Sequence, residues 1–366
     1  MEKKDFIIVG QGLVGSILAL ELLKQNKAVL VIDDADLSQC SKVAGGIYNP
    51  IVFKRMTQSW MAETTLPYMF EFFNEIEKLL NTKLLHPTKI VRIFSNENEE
   101  ILWKKKSANE LSDVIDSKIH VSSGTSTSLS TSSVENPSET FSFLKNNYAF
   151  VKQGGFVDVA EFLIQTKNYL EKQNSFLNEI VDYSLLSTNE NKVKYKTIST
   201  DKIIFCEGYL SVKNPWFNQI KFKPAKGEVL TIYCEDLKTT SVLNKDIFIL
   251  PLPEKNYFKV GATYNWDDLT DNPTQEAKNA LIEKLKTLLP FPYKIINHQA
   301  GVRPSTIDRH PVMGFHPEHN NLGIFNGFGT KSIMLAPYFA KHFCSFIENK
   351  SELLHEVNCK RFFTNT

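Results

Sequence analysis

Apolar runs and helical patterns alternate along the chain from its amino end. Residues 5–9 form an apolar run that predicts a strand, and apolar residues at helical spacing predict a helix over residues 13–25. A second apolar run over residues 28–32 predicts another strand, which is followed at once by Asp33. Strand, helix, strand and acid occur here in the order that a dinucleotide-binding unit needs.

The glycine-rich segment Gly10-Gln11-Gly12-Leu13-Val14-Gly15 joins the first strand to the first helix. In such a turn Gly10 permits the tight bend, Gly12 lets the backbone approach a pyrophosphate, and Gly15 lets helix and strand pack closely. Asp33 lies 18 residues after Gly15, near the spacing of about 20 at which a carboxylate accepts from a ribose hydroxyl. Glycines also serve ordinary turns, but the whole unit predicts a site for NAD or FAD, and the acid argues against NADP.

The patterns change character in the middle of the chain. Helices are predicted over residues 58–80, 158–172, 274–288 and 332–347, and strands over residues 90–94, 202–206, 228–233, 258–262 and 322–325. The strands at 228–233 and 258–262 are typical of an antiparallel sheet. The Ser/Thr-rich segment 122–138 predicts a loop or an edge hairpin. We therefore expect an α/β fold in which a second domain interrupts the dinucleotide domain.

Composition excludes several classes of function. The chain has 366 residues, 42% of them hydrophobic, and a net charge of +1, which fits two domains and gives no reason to propose nucleic acid or a membrane as partner. Five cysteines without a Cys-x-x-Cys pair indicate neither a disulfide framework nor a zinc site, and no metal site is expected. We predict a cytoplasmic protein because no signal peptide or membrane span is visible.

Further short motifs follow the opening turn in a fixed order. They are Ser41 with Ala44-Gly45-Gly46, Ile203-Ile204-Phe205-Cys206-Glu207-Gly208, Lys226-Gly227-Glu228, Val260-Gly261-Ala262-Thr263, Gly301-Val302-Arg303-Pro304 with Asp308, and Gly327-Phe328-Gly329 with Ala336-Pro337. Together they resemble the glycine oxidase and D-amino-acid oxidase family of FAD oxidoreductases, which also includes sarcosine oxidases and a tRNA-modifying branch. The resemblance covers nearly the whole chain.

The resemblance implies a discontinuous Rossmann-like FAD-binding domain and a substrate domain built on a mixed, largely antiparallel sheet. We assign residues 1–85, 151–213 and 297–366 to the first domain and residues 86–150 and 214–296 to the second. The implied reaction oxidises a small amine or amino acid of the glycine, sarcosine or D-amino-acid type. A hydride passes to flavin N5, the imine is hydrolysed, and oxygen or another acceptor reoxidises the flavin.

The resemblance also assigns cofactor contacts. Carried over residue by residue, they are Gly10, Gly12, Leu13, Val14, Gly15, Asp33, Ser41, Ala44, Gly45, Gly46, Val181, Gly208, Arg303, Gly327, Gly329, Thr330, Lys331 and Ser332. Residues 327–332 would lie by the flavin ring, where a helix amino terminus stabilises the negative charge of reduced flavin. Lys331 either adds a positive charge there or is an exposed lysine beside a turn.

Arg303 is the candidate for substrate recognition. It matches the arginine that clamps the substrate carboxylate in amino-acid-oxidising members, and a guanidinium fork suits that group because two parallel hydrogen bonds fix its orientation. The alternative is a structural arginine that ties a loop to a domain interface. No side-chain base is required, because an amine that binds uncharged can lose a hydride without one.

Three positions depart from the family pattern. Phe248 stands where glycine oxidase has a carboxylate-binding tyrosine, and either Tyr257 or Tyr264 is a candidate replacement. Ser332 replaces a usual glycine, and Gly301 replaces the cysteine that tethers flavin in some members, so FAD is expected to bind non-covalently. Tyr264 and the nearby tryptophan at position 266 either wall the pocket or pack in a core.

Other functions remain open at this point. One is an FAD enzyme that acts on a carboxymethylaminomethyl-type tRNA nucleoside, although the near-neutral charge weighs against nucleic acid. Another is an amine dehydrogenase with an acceptor other than oxygen, and a third is a non-catalytic FAD-binding subunit. The chain is compatible with a homo-oligomer.

Overall fold

A computed structural model describes residues 2–34, 40–122, 141–189 and 192–363. Almost all of the Ser/Thr-rich segment predicted as a loop or hairpin lies outside the described residues. The helices are α1 (Leu13–Lys24), α2 (Cys40–Val43), α3 (Ala62–Leu80), α4 (Glu97–Ser107), α5 (Val159–Lys172), α6 (Gln275–Leu288) and α7 (Ser332–Ile347).

Strands form the two main sheets and two small ones. They are β1 (Glu2–Val9), β2 (Val29–Asp33), β3 (Ile47–Tyr48), β4 (Ile51–Val52), β5 (Thr57–Gln58), β6 (Leu85–Pro87), β7 (Ile90–Ile93), β8 (Tyr148–Val151), β9 (Gly155–Val157), β10 (Phe176–Asn178), β11 (Leu186–Thr188), β12 (Val193–Tyr195), β13 (Ile198–Phe205), β14 (Ala225–Tyr233), β15 (Val242–Asn244), β16 (Phe248–Pro251), β17 (Tyr257–Gly261), β18 (Lys294–Arg303), β19 (Val312–Phe315) and β20 (Leu322–Asn326).

The first main sheet has a parallel centre. Its order runs β10-β2-β1-β13, and β12 and β20 both pair with the outer side of β13. The pairs β10–β2, β2–β1, β1–β13 and β13–β20 are all parallel. Ile8 packs with α1, α3, α5 and α7 on one face, while Ile7 and Val9 are buried on the other face. Burial on both faces explains why these strands read as continuous apolar runs.

The second main sheet is mixed and largely antiparallel, as expected. Its order is β18-β14-β17-β16-β15-β7-β8, and β15–β7 is its parallel pair. One face packs on α6, where Leu230, Ile249 and Val260 share a core with Leu281 and Leu285. Strand β18 belongs wholly to this sheet, so the domain boundary predicted at residue 297 falls inside a strand. The boundaries assigned between residues 85 and 86 and between residues 150 and 151 likewise fall inside β6 and β8, and the division into domains remains a prediction.

Three predicted helices begin later than the sequence pattern suggested, α3 by four residues and α5 and α6 by one residue each. Helix α3 begins at Ala62, because Thr57–Gln58 pairs as strand β5 with β4. Helix α5 begins at Val159, since the Asp158 side chain accepts a hydrogen bond from the Glu161 backbone N–H at 3.0 Å and caps the helix. The residues before this cap form strand β9.

Candidate active site

Parallel strands bring three sequence motifs to one edge of the first sheet. Strands β1, β2, β13 and β20 all end there, and the carboxyl edge of such a sheet is where ligands bind. The turn after β1 is joined to its neighbours by the Gly10 N–H, which donates to the Ile32 carbonyl at 2.8 Å. On the other side, the Asn326 amide donates to the Gly208 carbonyl at 2.8 Å. The glycine turn, residues 206–208 and residues 327–332 therefore meet.

Two glycines of the first turn have no room for a side chain. Gly10 has φ +103°, and a Cβ there would lie 2.6 Å from the Cys206 carbonyl oxygen. A Cβ on Gly15 would lie 2.0 Å from the Gly10 carbonyl oxygen. These contacts explain the close packing of turn, helix and strand that the motif predicted.

Gly12 is different, because space is open in front of it. It is the N-cap of α1, makes no side-chain cap, and has an extended φ of −70° that any residue adopts. A Cβ there would approach only the Ser41 hydroxyl, at 3.4 Å, and a Cβ on Gly208 would meet nothing within 4 Å. The amino end of α1 is thus an open cradle that fits a pyrophosphate.

The other predicted cofactor contacts have these positions in the fold. The Ser41 hydroxyl accepts from the Leu13 N–H at 3.1 Å at the start of α1. Asp33 ends strand β2 with its side chain half-buried, and Val181 packs at the edge of the core beyond β10. Val14 is partly buried against the same helix layer. The structure therefore places Ser41 at the start of α1 and Asp33 at the carboxyl end of β2, and the cofactor roles of the whole set remain a prediction.

Lys331 is not the exposed lysine of the alternative interpretation. Its ammonium donates to the Asn49 carbonyl at 2.8 Å and ties the last turn to the short connection between β3 and β4. Burial lowers the pKa of Lys331 to about 8. Gly327 and Gly329 both have positive φ, at +79° and +53°, and Ser332 begins α7 directly afterwards.

The lowered pKa of Lys331 has a measurable consequence. A lysine with a lower pKa in the folded state than in the unfolded chain gives stability that grows as pH rises between the two values. Between pH 8 and 10.5, the free energy of unfolding of the apoprotein should therefore rise relative to that of Lys331→Met, by about 3 kcal/mol at most. Urea unfolding across this range measures it, and parallel curves for the two proteins would refute the burial of Lys331.

Arg303 ends strand β18 with its guanidinium between two flat surfaces. A Cβ on Gly227 would lie 2.1 Å from the nearest guanidinium nitrogen, and the Arg303 Cζ lies 4.3 Å from the centre of the Tyr264 ring. One nitrogen donates to the Thr263 carbonyl at 3.4 Å. No carboxylate of the described residues is in ion-pair contact with Arg303, so its donor edge is available to an anion.

The tyrosine missing at position 248 has one candidate replacement at the site. The Phe248 ring lies against two glycines, because a Cβ on Gly45 or on Gly261 would lie 3.2 Å from its Cζ. Tyr257 begins strand β17, and its ring contacts Tyr233 at 5.4 Å between centres. Tyr257 is therefore at the opposite end of β17 from Arg303, whereas Tyr264 touches it.

Two charged residues of the site were not singled out from the sequence. Lys259 donates to the carbonyls of Val43, at 3.3 Å, and Ala44, at 3.1 Å, and burial lowers its pKa. Lys226 is fully buried and donates to the Asp268 carboxylate and the Asn272 carbonyl, both at 2.5 Å. The sequence signal that could have identified Lys259 is its position inside an apolar run. Lys226 was named in the sequence analysis only as part of a motif.

Lys226 holds the loop between β17 and α6, so its replacement should lower the free energy of unfolding. Lys226→Met leaves the buried Glu228 and the Asp268 carboxylate without their shared cation, and we expect the free energy of unfolding to fall by about 3–5 kcal/mol. Lys286→Met is the matched control, because its ion pair with Glu283 is 60% and 70% exposed, and its cost should stay below about 1 kcal/mol. Equal losses in the two variants, measured by urea unfolding, would show that Lys226 is not an anchor.

A parallel sheet with an open glycine turn, facing a second mixed sheet, defines the class of a dinucleotide-dependent enzyme. Residues 5–345 match the family model described as DAO, FAD dependent oxidoreductase, and the chain belongs to this family. FAD is therefore its cofactor, and the residues at the cradle of α1 fit that group.

Individual relatives show how far the similarity extends. The glycine oxidase of Bacillus subtilis (strain 168) is 31% identical over 131 residues, which cover 35% of this chain and 36% of that protein; the chain thus matches about a third of its length. The glycine oxidase of Pseudomonas putida (strain KT2440) is 21% identical over 96% of both chains. The crystal structure of glycine oxidase from Geobacillus kaustophilus superposes with a TM-score of 0.77, at 15% identity over 97% of both chains, which confirms the fold.

Two features are absent from the described part of the chain. None of its helices is both long and apolar enough to cross a membrane. Within the same residues, no three His, Cys, Asp or Glu side chains are grouped so that they could hold a metal ion.

Proposed function

We propose that this protein oxidises a small amino acid at the carbon between its amine and its carboxylate. The observation that carries the proposal is Arg303, whose guanidinium is held flat between Gly227 and Tyr264 with its donor edge unpaired by any described carboxylate. A planar fork held in one orientation suits a carboxylate, which it binds by two charge-assisted hydrogen bonds.

The roles of the chain's own residues follow from their positions. Gly12, Ser41 and the amino end of α1 would hold the pyrophosphate of FAD, and Asp33 the adenosine ribose. When bound, FAD supplies an acceptor for the hydride that leaves the substrate carbon. Arg303 would bind the carboxylate and so fix which carbon faces the acceptor, because orientation at near-contact distance governs the rate.

The surroundings of Gly301 support non-covalent binding of FAD. A Cβ at position 301 would lie 3.0 Å from the Cα of Cys40, so a cysteine at the position that tethers flavin in some members of the family would force the backbone at Cys40 to shift. We expect acid precipitation of the protein to release its flavin into the supernatant. Flavin that stays with the pellet would contradict this expectation.

The proposed reaction predicts defined products. The substrate carbon loses a hydride and the amine a proton, and water then replaces the imine nitrogen to give a 2-oxo acid and the free amine. Incubation in air with glycine, sarcosine, proline and D-amino acids should give product with at least one of them. Glycine, sarcosine and the D-amino acids would give equal amounts of oxo acid and amine, and proline would give a cyclic imino acid. An artificial dye in place of air tests an acceptor other than oxygen. Absence of product from the whole panel with both acceptors would contradict amino-acid oxidation and favour the nucleoside or the non-catalytic alternative.

A further inference from the structure

Two large aromatic side chains lie in the open next to Arg303. Tyr264 is 55% and Trp266 56% exposed, so neither packs in a core. Their rings are stacked with centres 6.1 Å apart and planes inclined by 28°. Exposed aromatic pairs lose the stabilisation that burial would give them, and they are enriched where a ligand covers them.

The position of the pair relates it to the proposed anchor. The Tyr264 ring contacts the Arg303 guanidinium, with 4.3 Å between the ring centre and Cζ. A carboxylate bound at the donor edge of Arg303 would therefore place the rest of its molecule within reach of exposed aromatic surface. An apolar, flat group suits that surface, because offset stacking adds to the burial of its area.

The loop that carries both rings is fastened between them and after them. Between Tyr264 and Trp266, Asn265 exchanges backbone hydrogen bonds of 2.8 and 3.0 Å with Lys226. After Trp266, the Asp268 carboxylate accepts from the buried Lys226 ammonium, which holds the pKa of Asp268 near 2. The loop ends where Thr274 donates twice to the buried Glu228 carboxylate, at 2.8 and 2.9 Å. Rings held in place before binding cost little entropy when a ligand covers them.

We propose that Tyr264 and Trp266 form a platform for a flat apolar substituent of the substrate. Amino acids that carry an aromatic group on the α-carbon or on the nitrogen should then bind better than glycine or sarcosine. This inference rests on the proposed function only for the role of Arg303 as the carboxylate anchor. It makes Tyr264 and Trp266 residues that determine specificity.

A binding experiment without oxidation tests the platform directly. Acetate, cyclohexylacetate and phenylacetate share one carboxylate and differ in the group attached to it. Calorimetric titration of the FAD-loaded protein should give a Kd for phenylacetate at least about tenfold lower than for acetate, with cyclohexylacetate between them. Equal affinity for acetate and phenylacetate would overturn the platform.

Two variants assign the preference to the rings. Trp266→Ala should remove most of the difference between phenylacetate and acetate and leave acetate binding unchanged. Ile296→Ala is the matched control, since Ile296 is 52% exposed on the same strand as Arg303 but seven residues away, and it should keep the wild-type preference. Retention of the full preference in Trp266→Ala would overturn the role of Trp266.

Anaerobic flavin reduction separates this inference from the proposed function. The second-order rate constant for flavin reduction should be higher with N-benzylglycine than with sarcosine. In Trp266→Ala the ratio of these two rate constants should be smaller than in the wild-type protein. Reduction by sarcosine at the same or a higher efficiency would overturn the platform while amino-acid oxidation stands. A third outcome is that phenylacetate binds more tightly than acetate in a way that depends on Trp266, while no amino acid reduces the flavin. That outcome would support the platform and overturn the proposed function.

Discussion

Gly12→Val is expected to abolish FAD retention while the protein still folds. The extended backbone at Gly12 accepts a β-branched residue, and the space in front of it contains only the Ser41 hydroxyl at 3.4 Å. A valine side chain would fill the space that a pyrophosphate needs at the amino end of α1. We expect at least about a hundredfold loss of FAD affinity, equivalent to about 2.7 kcal/mol, measured as the flavin content after gel filtration.

Controls separate a lost cofactor site from a lost fold. Ala108→Val places a valine side chain at an exposed position beyond α4 and should retain full flavin content. Gly15→Ala should fail to fold, because its Cβ would overlap the Gly10 carbonyl oxygen. A Gly12→Val protein with native circular dichroism and a full complement of FAD would show that the pyrophosphate does not lie at this turn.

Arg303→Ala is expected to lower kcat/KM for an amino-acid substrate by about a hundred- to a thousandfold. The loss corresponds to about 3–4 kcal/mol, the range for hydrogen bonds to a charged group that cannot be replaced. Most of it should appear in KM, because the carboxylate is bound both before and during the reaction. The rates are to be normalised to flavin content, because Arg303 is also a predicted cofactor contact, although the cradle at α1 is built from other residues.

Arg303→Lys is the informative companion variant. It keeps the positive charge but loses the planar fork that lies between Gly227 and Tyr264, so it should recover only part of the lost affinity. A substrate amine without a carboxylate should be turned over equally by all three proteins. Wild-type kinetics of Arg303→Ala on an amino acid would show that Arg303 is a structural residue.

Local patterns in the sequence predicted the elements whose formation depends on residues close to one another in the chain. The first βαβ unit follows from apolar periodicity and from glycines that pack against one another, and the closing helix begins and ends at the predicted residues 332 and 347. The late helix starts at Ala62 and Val159 depended on strand pairing and on a capping side chain. Residue periodicity does not register either of these effects.

The sequence could not decide how the site is completed. Tyr257 and Tyr264 were equal candidates at the two ends of one predicted strand, and only the pairing of β17 and β18 with β14 shows that the end near Tyr264 is the one beside Arg303. The burial of Lys226 depends on Asp268, which is 42 residues away in the chain. Such partners are determined by tertiary packing. The sequence therefore did not show which charged residues inside strands are buried and paired.

Anaerobic titration of the FAD-loaded protein with matched ligand pairs tests the central claim most directly. Each pair joins an amino acid to the amine that lacks its carboxylate: glycine with methylamine, sarcosine with dimethylamine, and N-benzylglycine with N-methylbenzylamine. The proposed function predicts that at least one amino acid bleaches the flavin band and that its amine partner does so far more slowly. A flavin band that no amino acid changes, or that the amine bleaches equally fast, would contradict it.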